Sequence, residues 1–214
     1  FIYKNQKSHL IGHDIGLVFT NLTVSRVKTA ELHDSISDWI IGPNIQYNRS
    51  DFNNVVDYKN YLSITDYFLV LKLCLLSLVH YCCNYTCLSL LYKNWSFYEA
   101  YIALSKIASG NNVYYANQSD NWAIMFDGIP FKSRTLIQHG YVGNFDVPNR
   151  LKGIDCFYAL SKKGSEDALD SIFACKPEVK IMKPTIKLTD YNDNKFKILL
   201  VIDIALLEIE KKII

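Results

Sequence analysis

Several signatures that would fix an activity outright are missing from this chain. It has no G-x-x-x-x-G-K phosphate loop and no G-x-S-x-G nucleophile elbow, so P-loop nucleotide chemistry and serine-hydrolase chemistry have no sequence support. It also lacks a large charge of either sign. A formal charge of +2 on a chain with 21% charged residues gives no strong attraction to nucleic acid, and no nucleic-acid partner is expected. The lysines thicken towards the end (Lys176, Lys180, Lys183, Lys187, Lys195, Lys197), but acidic residues are interleaved, which reads as a solvated surface. None of the six cysteines forms a C-x-x-C pair, which disfavours zinc fingers and thioredoxin-type redox motifs and points to reduced, buried thiols. No secretory leader precedes the fold, and the chain opens on Phe1, which reads as a fragment or trimmed product of a cytoplasmic protein.

What is present is a globular composition, 50% apolar over 214 residues, enough to bury a substantial core. Short apolar runs alternate with helical patterns. Ile15 to Thr20, Trp39 to Ile41, Val113 to Ala116, Thr135 to Ile137, Cys156 to Leu160 and Val179 to Met182 read as strands. Between them, Ala30 to Ser37, Trp122 to Phe126 and Lys163 to Phe173 read as helices, the last beginning after Ser161. Asn94 to Ser109 reads as an amphipathic helix with Phe97, Tyr101, Leu104 and Ala108 on one stripe, ended by Gly110. The alternation predicts an α/β fold, a Rossmann-like parallel sheet with helices on both faces. Tyr47 to Asn60 reads as an irregular loop.

The most apolar stretch, Tyr67 to Tyr92, carries His80 as its single titratable nitrogen after Lys72. Three readings remain open: a helix pair broken near Asn84, a helix lying on a membrane face, and a span. From Pro184 to Lys195 the chain turns linker-like, and Phe196 to Asp203 reads as a further strand with a helical start after it.

Functional expectations concentrate at strand ends. The sequence Ser133 to Asn144, SRTLIQHGYVGN, delivers His139 to a loop after a buried strand, where open α/β sheets bind ligands. His139 can exchange a proton near neutral pH, which makes it the first candidate for a general base. Gly140 allows a sharp turn or a close backbone approach to a ligand. Asn117, Gln118, Ser119 and Asp120 follow another strand and suit sugar hydroxyls, although Ser119 or Asp120 equally suits the N-cap of the next helix. Arg26, in a loop read over Asn21 to Arg26, could bind a carboxylate or phosphate. His9 and His13 stand four apart but have no third ligand, so no metal is expected.

The run NVYYANQSDNWAIMFDGIPFKSRTLIQHGYVGN, Asn112 to Asn144, resembles the first domain of bacterial surface-polysaccharide glycosyltransferases of the two-Rossmann-domain (GT-B) class. In those enzymes an I-Q-H-G segment lies in the interdomain cleft. The same residues are similar to the W-H-G segment of teichoic-acid-type polymer glycerophosphotransferases, whose histidine is the base ascribed to the reaction. GIDCFYALSKKGSEDAL, Gly153 to Leu169, fits the next strand and helix of that fold, so the resemblance covers about half of the chain.

The resemblance implies an acceptor-side domain over residues 1–190. It also implies a linker with the opening strand and helix of a truncated donor domain over 191–214, the chain alone being inactive. It implies His139 as base, with Asp120 or Asp127 as carboxylate alternatives. Asn117, Gln118, Gln138 and Gly140 would orient the acceptor, with Asn144 beside the cleft and Arg26 as a further ligand contact. No cofactor is implied, only a nucleotide-sugar donor and a saccharide acceptor such as capsular polysaccharide. The absence of an Asp-x-Asp pair disfavours the metal-dependent single-domain class. The remaining class is a non-catalytic interaction domain at the inner face of the membrane, with residues 67–92 as its contact surface; exposure of that stretch would favour it, and complete burial would remove its support.

Overall fold

The computed structural model describes residues 10–81, 87–118, 120–140 and 150–183, with backbone alone over 78–81 and 87–93. Seven strands form one sheet: β1 (Asp14–Val18), β2 (Asp38–Ile41), β3 (Val55–Val56), β4 (Asn112–Ala116), β5 (Ser133–Ile137), β6 (Cys156–Ala159) and β7 (Glu178–Ile181). All neighbours are parallel, in the order β3-β2-β1-β4-β5-β6-β7. The expected Rossmann-like α/β architecture is therefore observed. Five helices join the strands: α1 (Thr23–Thr29), α2 (Ile64–Tyr81), α3 (Cys87–Ile107), α4 (Asn121–Asp127) and α5 (Lys162–Ser171).

The inner strands are largely apolar on both sides because both faces are covered, the usual condition of a parallel sheet. Alternate residues enter two separate cores. Ile15, Leu17, Val113, Tyr115, Leu136 and Phe157 join Val70, Ala103, Ala123 and Ala168 from α2 to α5 on one face. Val18, Trp39, Ala116 and Ile137 join Val27 from α1 on the other. Each fully buried aliphatic side chain stabilises the fold by about 1.5–3 kcal/mol before conformational entropy is counted.

The chain winds outward from β1 to β3, returns through α2 and α3, enters β4 beside β1, and then proceeds the other way to β7. That reversal between β1 and β4 is the topological switch point, outside whose carboxyl ends such sheets bind ligands.

Several local expectations are corrected. The loop read over Asn21 to Arg26 is mostly helix, since α1 starts at Thr23, whose hydroxyl lies 3.0 Å from that of Thr20. The helix expected over Ala30 to Ser37 shrinks to a single 3-10 turn, His33–Ser35. The irregular stretch Tyr47 to Asn60 contains β3, two valines that pair with β2 at the sheet edge. Helix α3 is continuous from Cys87, and its buried stripe is Ala100, Ala103, Leu104 and Ile107, with Tyr101 turned outward. Gly110, at φ +84°, follows it in the left-handed conformation that favours glycine.

The apolar stretch is a helix pair, α2 against α3, with residues 82–86 outside the described set. Ser77 and Tyr98 share a 2.6 Å hydrogen bond between the two helices, and Lys106 pairs with Asp66. Val70 and Cys74 are fully buried on the inner face of α2. Its outer face is not covered: Ile64, Phe68, Leu75 and Leu76 are 77, 68, 52 and 55% exposed. No described helix is long and apolar enough to cross a membrane. Cys74, Cys156 and Cys175 are free thiols. Residues 184–214, with the expected linker and further strand, lie outside the described residues.

Candidate functional site

The polar residues singled out in the sequence gather at the carboxyl ends of β4 and β5. These strands pair in register, Ala116 beside Ile137, so the residues that follow each strand are neighbours. Asn117 adopts φ +84°, a left-handed turn that asparagine tolerates better than most residues. Gln118 then folds inward, 7% exposed, and its Oε1 accepts a 3.1 Å hydrogen bond from the His139 backbone N–H.

Gln138 is 2% exposed and fully engaged. Its Oε1 accepts from the Leu160 N–H at 2.8 Å, and its Nε2 donates to the Gly140 carbonyl at 2.7 Å. Two buried glutamines thus hold the His139 backbone between β4 and the end of β6. Gln138 acts through this clamp, as a positioning residue. His139 itself is half-buried, and its Nδ1 is buried with no hydrogen-bond partner among the described residues.

Asp120 caps α4, its Oδ1 accepting from the Ala123 N–H at 2.9 Å while Oδ2 accepts from Asn117 Nδ2 at 2.7 Å. Burial pushes its carboxyl above the ordinary value; the amides of Ala123 and Trp122, the Asn117 side chain and the charge of His139 act in the opposite sense. Asp120 therefore fulfils the capping role that the sequence left open, while remaining beside the histidine.

Other candidates fall elsewhere. Asp127 lies at the far end of α4 from Asp120, and its two carboxylate oxygens accept the backbone N–H groups of Lys152 and Gly153. Arg26 sits in the last turn of α1, not in a loop, about 6 Å along the axis from Leu22. Gly140 has an ordinary φ, and a Cβ added there would meet nothing within 4 Å among the described residues. Ser119, Asn144 and His9 lie outside the described residues. His13 Nδ1 lies 3.0 Å from Asp38, and no group of three metal-ligating side chains occurs among the described residues.

Comparison of the chain with family models, curated proteins and solved structures returns no match.

One part of the edge escaped the sequence reading. Beyond β1 and β2, a cavity of about 360 Å³ is lined by Asn21, Gln46, Tyr47, Asn48, Asp51 and Phe52, among others. All but Asn21 belong to segments read only as connections. The available signal was the density of amide and aromatic side chains following a strand end.

Proposed function

We propose that the carboxyl edge of β4 and β5 is the acceptor side of a glycosyltransferase site, with His139 as general base. The acceptor hydroxyl oxygen forms the new bond to the anomeric carbon of a nucleotide-activated sugar. The bond from that carbon to the diphosphate oxygen breaks, its electron pair leaving with the phosphate, and the hydroxyl proton passes to the imidazole. Asp120 offsets the resulting imidazolium charge, and Asn117 and Gly140 offer polar contacts to the acceptor. Donor binding and stabilisation of the departing diphosphate are assigned to groups outside the described residues.

The observation that carries this reading is the clamp. Gln118 and Gln138, both buried, fix the backbone around a single histidine at the carboxyl edge next to the switch point. The test is transfer from labelled nucleotide-sugars to polysaccharide by the full-length protein. His139→Ala should lower the rate by about 100-fold or more with the urea midpoint unchanged. Undiminished transfer would exclude His139 as the base.

A second reading, peripheral contact with the inner face of a membrane through the Tyr67 to Tyr92 stretch, is favoured by the bare outer face of α2. Phe68 and Leu75 lie seven residues apart, two helical turns along one side, with Lys72 beside them. Co-sedimentation with anionic vesicles, compared between the native chain and Phe68→Ser/Leu75→Ser, tests it. Equal sedimentation of the two would refute it.

A further inference from the structure

The cavity beyond β1 and β2 has a neighbour. A second hollow of about 270 Å³ lies beyond β2 and β3, bordered by Gly42, Pro43, Val56, Asp57 and Lys59 among others. Ile45 and Tyr47 line both, so the two hollows share one wall. We infer that they are consecutive subsites for a neutral oligosaccharide. They would then form a track along the carboxyl edge that holds the body of a polymeric acceptor while its reacting end lies at His139. This rests on reading the His139 edge as a glycosyl-acceptor site.

The lining chemistry selects the ligand class. The floor of the first hollow is apolar, from Val18, Val24 and Phe52, and its rim carries the amides of Asn21, Gln46 and Asn48. An amide both donates and accepts, which matches hydroxyl groups that do the same. Charge is internally satisfied. Asp51 is paired with Lys28 at 3.2 Å, and Lys59, the one cation among the lining residues of both hollows, lies 3.9 Å from the buried Glu99. Asp57 accepts from the Lys59 N–H. A phosphate or carboxylate ligand would therefore meet no unpaired cation here, and a neutral polyol loses nothing by that.

Tyr47 supplies shape. Nearly half exposed, it is set edge-on to Phe52, with ring centroids 5.4 Å apart and planes at 83°. A rigid aromatic face between two hollows can cover the C–H face of a sugar ring at low entropic cost. The strand order gives direction. From β3 the edge passes β2, β1 and β4 to β5, and β1 stands two strand spacings, about 10 Å, from the strand bearing His139. A chain lying along that line reaches the base only if it has several units.

Saturation-transfer NMR on the full chain tests this with neutral trisaccharides of glucose, galactose, N-acetylglucosamine and rhamnose, and with a trigalacturonate. Neutral trisaccharides should give transfer. Tyr47→Ala should weaken binding at least tenfold, and so should Gln46→Ala/Asn48→Ala, whose positions are exposed and leave the core intact. No neutral signal, a preference for the acidic trimer, or unchanged binding in both variants would overturn the track. The two readings fail separately. Loss of transfer in His139→Ala without trisaccharide binding removes the track alone, whereas binding through Tyr47 with transfer intact in His139→Ala removes the base alone.

Discussion

The clamp on His139 can be tested by removing one acceptor atom. Gln118→Met keeps the length and volume of the side chain but replaces the Oε1 that accepts from the His139 N–H at 3.1 Å. Because Gln118 is 7% exposed, water cannot simply replace the lost partner. A buried donor left unpaired costs about 1–3 kcal/mol, and the more apolar methionine returns part of this, leaving a net loss of about 1–2 kcal/mol. With a urea dependence of about 2 kcal/mol per molar, the midpoint should fall by about 0.5–1 M. Hydrogen exchange at the His139 amide should accelerate about tenfold or more, while amides within β4 change less. If the ring is displaced by 1 Å, transfer should fall by up to about 100-fold. A midpoint within 0.2 M of the native value, about 0.4 kcal/mol at that slope, together with unchanged exchange at His139, would refute the clamp.

Two other predictions address the framework. In Gly153→Ala the new methyl would lie 2.2 Å from Arg134 Nη1 and 3.1 Å from Asp127 Oδ1, within the network that ties Gly153 to both residues. Overpacking there should cost about 2 kcal/mol and lower Tm by about 4–8 °C in calorimetry; a change within 1 °C would contradict it. Asp66 is subject to burial, which raises its pKa, but the Lys106 ammonium and the Ser63 hydroxyl and amide outweigh it and hold the carboxyl down at about 2. Because the folded pKa lies below the unfolded one, this stabilisation is present above about pH 4 and is lost as pH falls towards 2. After allowance for solvent screening it amounts to about 1 kcal/mol, which urea titrations should show in the native chain and only in part in Lys106→Met, where the Ser63 bonds to Asp66 persist. Equal acid sensitivity of the two proteins would exclude this pair as the cause.

The inner strands were legible because they are short apolar runs whose residues enter two cores, and helix α5 was legible because Ser161 caps it through Gly164. Helix α1 was not, because its N-cap position is Leu22, which supplies no side-chain bond. Strand β3 has only Val55 and Val56 and depends on an edge pairing with Trp39 and Ile40, which local composition does not encode. The same limit separates the site residues. That His139 and Gln118 follow strands was visible in the sequence, whereas their hydrogen bond depends on the β4–β5 register. Asp127 was considered beside Asp120 because many sugar transferases use a carboxylate base; helix α4 lies between them, carrying one towards the histidine and the other to the amides of Lys152 and Gly153.

The partnership of β1 has a consequence for biosynthesis. Its Asp14 pairs with Asn112, so this inner strand waits for 98 further residues before its second neighbour exists. At about 5–20 residues per second, that interval is roughly 5–20 s. Closing a loop of this length costs roughly 4 kcal/mol in chain entropy, which the β1–β4 contact must offset. During the wait β1 lacks its second neighbour, and the outer face of α2, bearing Phe68 and Leu75, is exposed. Nascent chains are thus most vulnerable to aggregation before β4 emerges, and the yield of folded protein will depend on how that interval is protected, by slower synthesis at low temperature or by chaperones that hold apolar helices.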